Sequence, residues 1–259
     1  MKKAIVIGAG FAGLSAATHL ADQGWEVTVL EKNSTPGGRG RMFSADGFHF
    51  DMGPSWYWMP DIFERYFNHF GKSTRDYYEL VRLDPSYQVV FGKEDFMQIP
   101  ADMTALENLF ESQEAGSSLR LREFLAQAAY KYKVGINEFV HKPSLSITEF
   151  LQPKYLFDAI KLQIFNSFAT HARKFFRSEK LLQLVEFPVL FLGATPKNTP
   201  ALYSLMNYAD MSLGTWYPMG GMVKIGEAMT QLAQEKGVTF VFDAEVKKIV
   251  VANGKVEKV

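Results

Sequence analysis

Apolar positions along this chain repeat with two different periods, and the switches between them predict its elements. A continuous apolar run, Ala4-Ile5-Val6-Ile7, reads as a strand, and Glu26-Val27-Thr28-Val29-Leu30 reads as a second. A run without polar alternation is expected where both faces of a strand are covered, as in a parallel sheet. Between the two strands, a small-residue stretch through Leu20 predicts a helix, with Ala17 and Ala21 following Gly13 on one face. Phe48 and Phe50 suit a short strand, and Asp61 is placed to cap a helix running to about Phe70, closed by Gly71. Tyr87–Phe91 and Phe96–Ile99, joined through Gly92-Lys93-Glu94-Asp95, read as a hairpin. Beyond Pro100 the pattern is helical for about a hundred residues, most clearly from Leu119, where Leu121, Leu125, Ala128, Tyr132 and Ile136 keep helical spacing. Met222, Ile225, Met229 and Leu232 mark a further helix stopped by Gly237, and Val238–Phe242 reads as a third parallel strand. Glu245-Val246-Lys247-Lys248-Ile249 begins a last strand that Asn253-Gly254 turns back as Lys255–Val259.

Strands of this kind at the two ends of the chain, with helices between, predict an α/β fold. Its first part is a doubly wound parallel sheet of the nucleotide-binding type, over residues 1–76 and 214–259. Its second is a mainly helical cap with a small β-hairpin, over 77–213.

The chemistry concentrates in the first turn, Gly8-Ala9-Gly10-Phe11-Ala12-Gly13. Gly8 permits the tight turn off the strand, Gly10 leaves room for a pyrophosphate against bare backbone, and Gly13 lets the helix lie close on the strand. The helix N-terminus offers unpaired N–H groups and its dipole to an anion. The glycine spacing alone is common in loops. It gains weight from Glu31, which ends the second strand eighteen residues after Gly13, near the roughly 20 expected for an acid that binds a ribose hydroxyl. That carboxylate would repel a 2′-phosphate, which disfavours NADP.

The continuation Glu31-Lys32-Asn33-Ser34-Thr35-Pro36-Gly37-Gly38-Arg39-Gly40-Arg41 resembles the FAD-dependent amine oxidase and phytoene desaturase superfamily. In that pattern Gly-Gly-Arg follows the acid and its arginine lies beside the FAD pyrophosphate, a role the resemblance gives to Arg39. Two glycines let the backbone approach a diphosphate, and a guanidinium fork can bind it bidentately. A basic surface loop is the lesser alternative for Arg39 and an equal one for Arg41. Phe50-Asp51-Met52-Gly53-Pro54-Ser55 resembles the carotenoid-desaturase pattern next to the isoalloxazine, which makes Gly53, Pro54 and Ser55 flavin-proximal candidates. Asp51 reads better as a turn-capping carboxylate than as a catalytic base.

Three later blocks sharpen the resemblance to the bacterial phytoene-desaturase type: Phe191-Leu192-Gly193-Ala194-Thr195-Pro196, Pro200-Ala201-Leu202-Tyr203-Ser204-Leu205 and Gly214-Thr215-Trp216-Tyr217-Pro218-Met219-Gly220-Gly221-Met222. The resemblance spans essentially the whole chain. It implies a flavoprotein of carotenoid biosynthesis that takes hydride from a long, apolar isoprenoid onto FAD, and a valine at the position of Val246 whose backbone contacts the adenine. The cofactor-binding set it implies is Gly8, Gly10, Phe11, Ala12, Gly13, Glu31, Lys32, Gly38, Arg39, Gly53, Pro54, Ser55 and Val246. An unactivated polyene offers nothing to a titratable group, so shape and exclusion of water must position it and no acid, base or nucleophile is named. A flavin amine oxidase is the alternative, against which the Gly-Thr-Trp-Tyr-Pro and Ala-Leu-Tyr blocks count. A truncated, inactive nucleotide-binding fragment is another.

Members of the family run to roughly twice this length. In the order 3-2-1-4-5 the chain supplies strands 3, 2 and 1 only, so the expected sheet is incomplete and strand 1 has an open edge, covered by a second chain or prone to aggregation. The ligand crevice then lacks one wall, and weak FAD retention by these residues in isolation is expected.

Composition narrows the partners. The 28 basic and 28 acidic side chains cancel, and the pI is about 7.0, which gives no electrostatic footprint for nucleic acid. The absence of cysteine excludes disulfides, thiolate metal sites and a cysteine-tethered flavin. His49 sits between aromatics without an assigned role, and His19, His69, His141 and His171 show no metal spacing. No run reaches the roughly 18 apolar residues of a membrane span, and no signal peptide is read, so a cytoplasmic chain is expected. The apolar stretch from Tyr155 to Phe168, with Arg173, Lys174 and Arg177 after it, fits either a core helix or a peripheral membrane surface, the core reading being favoured.

Overall fold

The apolar run at the N-terminus forms β1 (Lys3–Ile7), which pairs in parallel with β2 (Glu26–Leu30) from Lys3 against Glu26 to Ile7 against Leu30. The computed structural model describes residues 2–136, 145–146 and 161–259. Two compact units make up the chain, Met1–Val81 with Trp216–Val259, and Arg82–Thr215.

In the first unit, α1 (Phe11–Asp22) carries the chain from β1 back to β2, the right-handed route by which parallel neighbours are joined. Hairpin β3 (Met42–Ala45) and β4 (Phe48–Asp51) follows, with Phe43 opposite Phe50. Next comes α2 (Pro60–His69). Asp61 does not cap it: Pro60 occupies the first turn after Met59, which adopts a left-handed φ of 58°, and Asp61 sits one residue inside. Proline at that position forgoes only an N–H that the helix leaves unpaired anyway. The chain leaves this unit through β5 (Leu80–Arg82).

The second unit opens with the expected hairpin, β6 (Tyr87–Gly92) against β7 (Asp95–Ile99). Asp102 caps α3 (Met103–Gln113) by accepting the Ala105 N–H at 2.9 Å. Helices α4 (Ser117–Val134), α5 (Phe168–Ala172) and α6 (Glu179–Glu186) close a core of Phe110, Leu121, Phe124, Phe168, Phe176 and Leu181. Each such side chain contributes about 1.5–3 kcal/mol by leaving water. The stretch from Tyr155 to Ile160 and His141 lie outside the described residues. Residues 162–166 form turns rather than a helix, and Arg173 is drawn into an ion pair with Glu186 at 2.6 Å. No helix among the described residues is long and apolar enough to cross a membrane.

The chain returns to the first unit through β8 (Trp216–Pro218) and α7 (Val223–Glu235), and β9 (Thr239–Val241) then pairs in parallel with β2. The sheet order is β1-β2-β9, which leaves β1 at an edge among the described residues. Ala4 and Val6 of β1 pack on the core, while Ile5 and Ile7 are 51% and 50% exposed. Leu14, Ala17, Val27 and Val29 join Ile225, Met229 and Leu232 in a core between sheet and helices. Glu245–Ile249 is not a strand. It stays irregular, and the terminal hairpin starts later as β10 (Val250–Ala252) and β11 (Lys255–Lys258).

Candidate functional site

The turn between β1 and α1 is built from backbone in contact with backbone. Gly8 has a φ of +96°, a conformation that favours glycine, and its N–H donates to the Leu30 carbonyl at 2.8 Å. A Cβ on Gly13 would lie 2.0 Å from the Gly8 carbonyl oxygen, so only glycine lets α1 approach the strand this closely. Gly10 differs: a Cβ there would meet nothing within 4 Å. The fold does not need glycine at that position. What the residue preserves is open space in front of the first turn of α1, where the N–H groups of Phe11, Ala12 and Gly13 lack intrahelical acceptors.

A second loop closes against this turn. The Gly37 N–H donates to the Ala9 carbonyl at 2.8 Å, and a Cβ on Gly38 would lie 3.2 Å from the Gly10 Cα. Helix α7 presses on the loop from behind, where a Cβ on Gly226 would stand 2.8 Å from the Gly37 Cα. A third loop, after β4, reaches the same place: a Cβ on Gly53 would lie 2.2 Å from the Arg39 carbonyl oxygen. Asp51 anchors that loop, its carboxylate accepting the Met222 N–H at 2.9 Å and the Tyr217 hydroxyl at 2.8 Å. It acts as a structural acceptor that ties this loop to the chain around Met222, rather than as a cap of its own turn.

Glu31 lies buried behind the turn. One carboxylate oxygen accepts the Ala9 N–H at 2.6 Å, and the other accepts the Asn33 N–H at 2.9 Å and the Asn33 side-chain amide at 2.5 Å. Burial pushes this carboxyl up, but those donors, with the nearby Arg41 charge, outweigh it and hold Glu31 below the usual carboxylate range. A carboxylate has about four acceptor positions, so three bonds leave room for one further hydroxyl. Arg41 is committed to the Gly38 carbonyl at 2.8 Å, whereas the Arg39 side chain is exposed and, among the described residues, makes no hydrogen bond or ion pair.

The structure thus brings together Gly8, Gly10, Phe11, Ala12, Gly13, Glu31, Gly38, Arg39 and Gly53. Phe11 sits edge-on to Phe63 and covers Gly40. Lys32 is exposed beside Glu31, and Pro54 and Ser55 are exposed in the loop that Gly53 anchors. Val246 is partly buried in the irregular segment that Ala244 ties to β2 by donating to the Glu31 carbonyl at 2.9 Å. Asn33, Gly37 and Gly226 were not singled out from sequence. An isolated glycine inside a helical pattern, as at Gly226, was the available signal for a close backbone approach. No group of three metal-ligating side chains occurs among the described residues.

The architecture and sequence match known proteins. Residues 11–258 match the family described as flavin containing amine oxidoreductase. The chain is 40% identical over 245 residues to a carotenoid 3,4-desaturase of Haloarcula japonica, covering 94% of this chain and 50% of that protein. It is 34% identical over 254 residues to a zeta-carotene-forming phytoene desaturase of Myxococcus xanthus, covering 98% and 49%. The chain therefore spans about half the length of these curated relatives. Among solved structures, an oxidoreductase from Methanosarcina mazei superposes with a TM-score of 0.61 at 21% identity, covering 99% of this chain and 54% of that one. A putrescine oxidase variant superposes with a TM-score of 0.59 at 17% identity, covering 96% and 52%. These two show a shared fold.

Proposed function

The chain belongs to the flavin containing amine oxidoreductase family, and on that premise we propose that it forms the FAD-binding half of a carotenoid desaturase acting on a long apolar polyene. The observation that carries this reading is the pairing of near-complete coverage by desaturases at 34–40% identity with a glycine cradle shaped for a dinucleotide.

The fit of FAD rests on Gly10. Its missing side chain serves no atom of the protein and leaves free the space a pyrophosphate needs in front of the α1 N-terminus. Gly8, Gly10, Phe11, Ala12 and Gly13 supply the diphosphate cradle, and Glu31 takes the ribose with its remaining acceptor position. Gly38 and Arg39 would hold the phosphates, Arg39 through a guanidinium that engages no other group among the described residues. On the resemblance, Lys32 and the Val246 backbone would hold the adenosine part, and Gly53, Pro54 and Ser55 would border the flavin ring. FAD, when bound, supplies the two-electron acceptor that desaturation requires. The first unit serves as the flavin-binding part and the second, with its apolar core, as part of the substrate domain.

The test is the flavin spectrum of the purified full-length protein and of its Gly10→Val variant. The wild type is expected to retain flavin and the variant to lose it without unfolding, and equal retention would overturn the cradle assignment. Incubation with phytoene in liposomes should produce the absorbance of a longer conjugated polyene. Peroxide formed from an amine, with no polyene change, would favour an amine oxidase instead.

A further inference from the structure

The second unit holds a polar cleft that flavin binding does not use. Two hollows of about 450 and 330 Å³ share Arg120, Lys174 and Phe175. The first is also lined by Glu114, Arg173 and Arg177, the second by Glu123 and His171. Two ion pairs neutralise part of this charge, Arg120 with Glu114 at 2.5 Å and Arg173 with Glu186 at 2.6 Å. Among the described residues Lys174 and Arg177 have no ion-pair partner, and Glu123 is a further acid lining the second hollow.

Two donors at the cleft are stranded. The Arg120 Nε–H is buried without an acceptor, and so is His171 Nδ1, on a side chain only 1% exposed. The protonation of His171 follows from its neighbour. Nε2 lies 3.3 Å from the Lys131 ammonium, which has donors only, so Nε2 must accept and the ring proton sits on Nδ1. Burial and then the charges of Lys131 and Lys174 push His171 down to about 3, so the ring stays neutral and Nδ1–H remains a donor at every pH of interest.

We propose that this cleft is a binding site for a phosphate-type oxyanion. A carboxylate would gain little, because its single charge faces Glu123 as well as the cations. A phosphate group carries a charge of about −1.5 to −2 and three acceptor oxygens. It matches the exposed cations Lys174 and Arg177 in charge, beside Arg120 and His171, which line the same hollows. The ligand is either a free phosphate ester or the headgroup of an anionic lipid, which share this chemistry. The inference is independent of the flavin reading.

Inorganic pyrophosphate is titrated into the full chain and followed by its thermal midpoint. Vesicles of phosphatidic acid against phosphatidylcholine, followed by co-sedimentation, form the second arm. Because pyrophosphate also fits the glycine turn, both arms are run on the Gly10→Val background. The midpoint is expected to rise with pyrophosphate and not with chloride at equal ionic strength. The apparent affinity should weaken about tenfold in Lys174→Glu and again in Arg177→Glu, each exposed and outside the core. A pyrophosphate response without vesicle binding assigns a free phosphate ester, and vesicle binding lost in the same variants assigns a lipid headgroup. No response in either arm, or responses that both substitutions leave unchanged, would overturn the proposal.

Discussion

The α-carbon of Gly53 stands so close to Arg39 that a Cβ on it would come within 2.2 Å of the Arg39 carbonyl oxygen, although the two residues lie on different loops. The contact fixes the loop after β4 against the Gly-Gly-Arg loop. Gly53→Ala must separate them, at about 1–3 kcal/mol for an overpacked contact. A lower urea midpoint together with weakened flavin retention is expected. Gly10→Ala supplies the contrast: its added methyl meets nothing, so stability should stay within about 0.5 kcal/mol while flavin retention falls.

Arg39→Ala separates recognition from folding. Its side chain engages no other group, so the substitution should change stability by no more than about 0.5 kcal/mol. Loss of a bidentate phosphate contact should still weaken flavin affinity by about tenfold or more, read by fluorescence titration of the apoprotein of the full-length enzyme. Arg41→Ala, which removes the bond to the Gly38 carbonyl, should instead lower stability.

Glu31 gives the fold an acid-sensitive element. Its folded-state carboxyl is held below the ordinary value, so it contributes stability that is fully present above the unfolded-state pKa of about 4.3 and is lost as pH falls through the folded-state value. Glu31→Gln should reduce that acid-limb slope, measured by chemical unfolding between pH 6 and 2. At pH 7 the variant should cost about 1–3 kcal/mol, because the Ala9 and Asn33 donors lose a charged acceptor.

Lys131 acts in the opposite pH range. Its ammonium is buried on α4, donating to the Ala201 carbonyl at 3.0 Å and the Ser204 hydroxyl at 3.0 Å with no carboxylate partner among the described residues, and burial, then the Lys174 charge, pushes it down to about 8. The unfolded chain holds this proton to about pH 10.4, so between about 8 and 10.4 the unfolded state binds more protons and stability should rise with pH. Lys131→Met is expected to flatten that rise in thermal midpoints recorded from pH 7 to 10.

How much of this was legible in the sequence depends on how local each determinant is. The β1, glycine turn and α1 unit follows from neighbours within a few residues, and so do both hairpin turns. The start of α2 was misplaced because Pro60 and the left-handed Met59 set it, not the carboxylate of Asp61. Glu245–Ile249 alternates like a strand but finds no partner strand, since Ala244 already spends its N–H on the Glu31 carbonyl. The closure of the cradle was invisible for a different reason. Gly226 reads as a weak helical position until Gly37 is seen against it, and Lys131, not singled out from sequence, has its ammonium in the interior.

The bond from Met222 to Asp51 joins residues 171 positions apart, and the core of the first unit needs the α7 side chains as much as those of α1 and β2. That unit is discontinuous, whereas Arg82–Thr215 is a single uninterrupted stretch. During synthesis the N-terminal β1-α1-β2 segment emerges first yet must wait, with half its apolar face uncovered, until the ribosome has released residues beyond 240. Closing so long a loop is entropically slow, while the inserted stretch has its own partners at hand. The order of maturation should therefore run against the order of translation, with the middle of the chain becoming protease-resistant before its beginning.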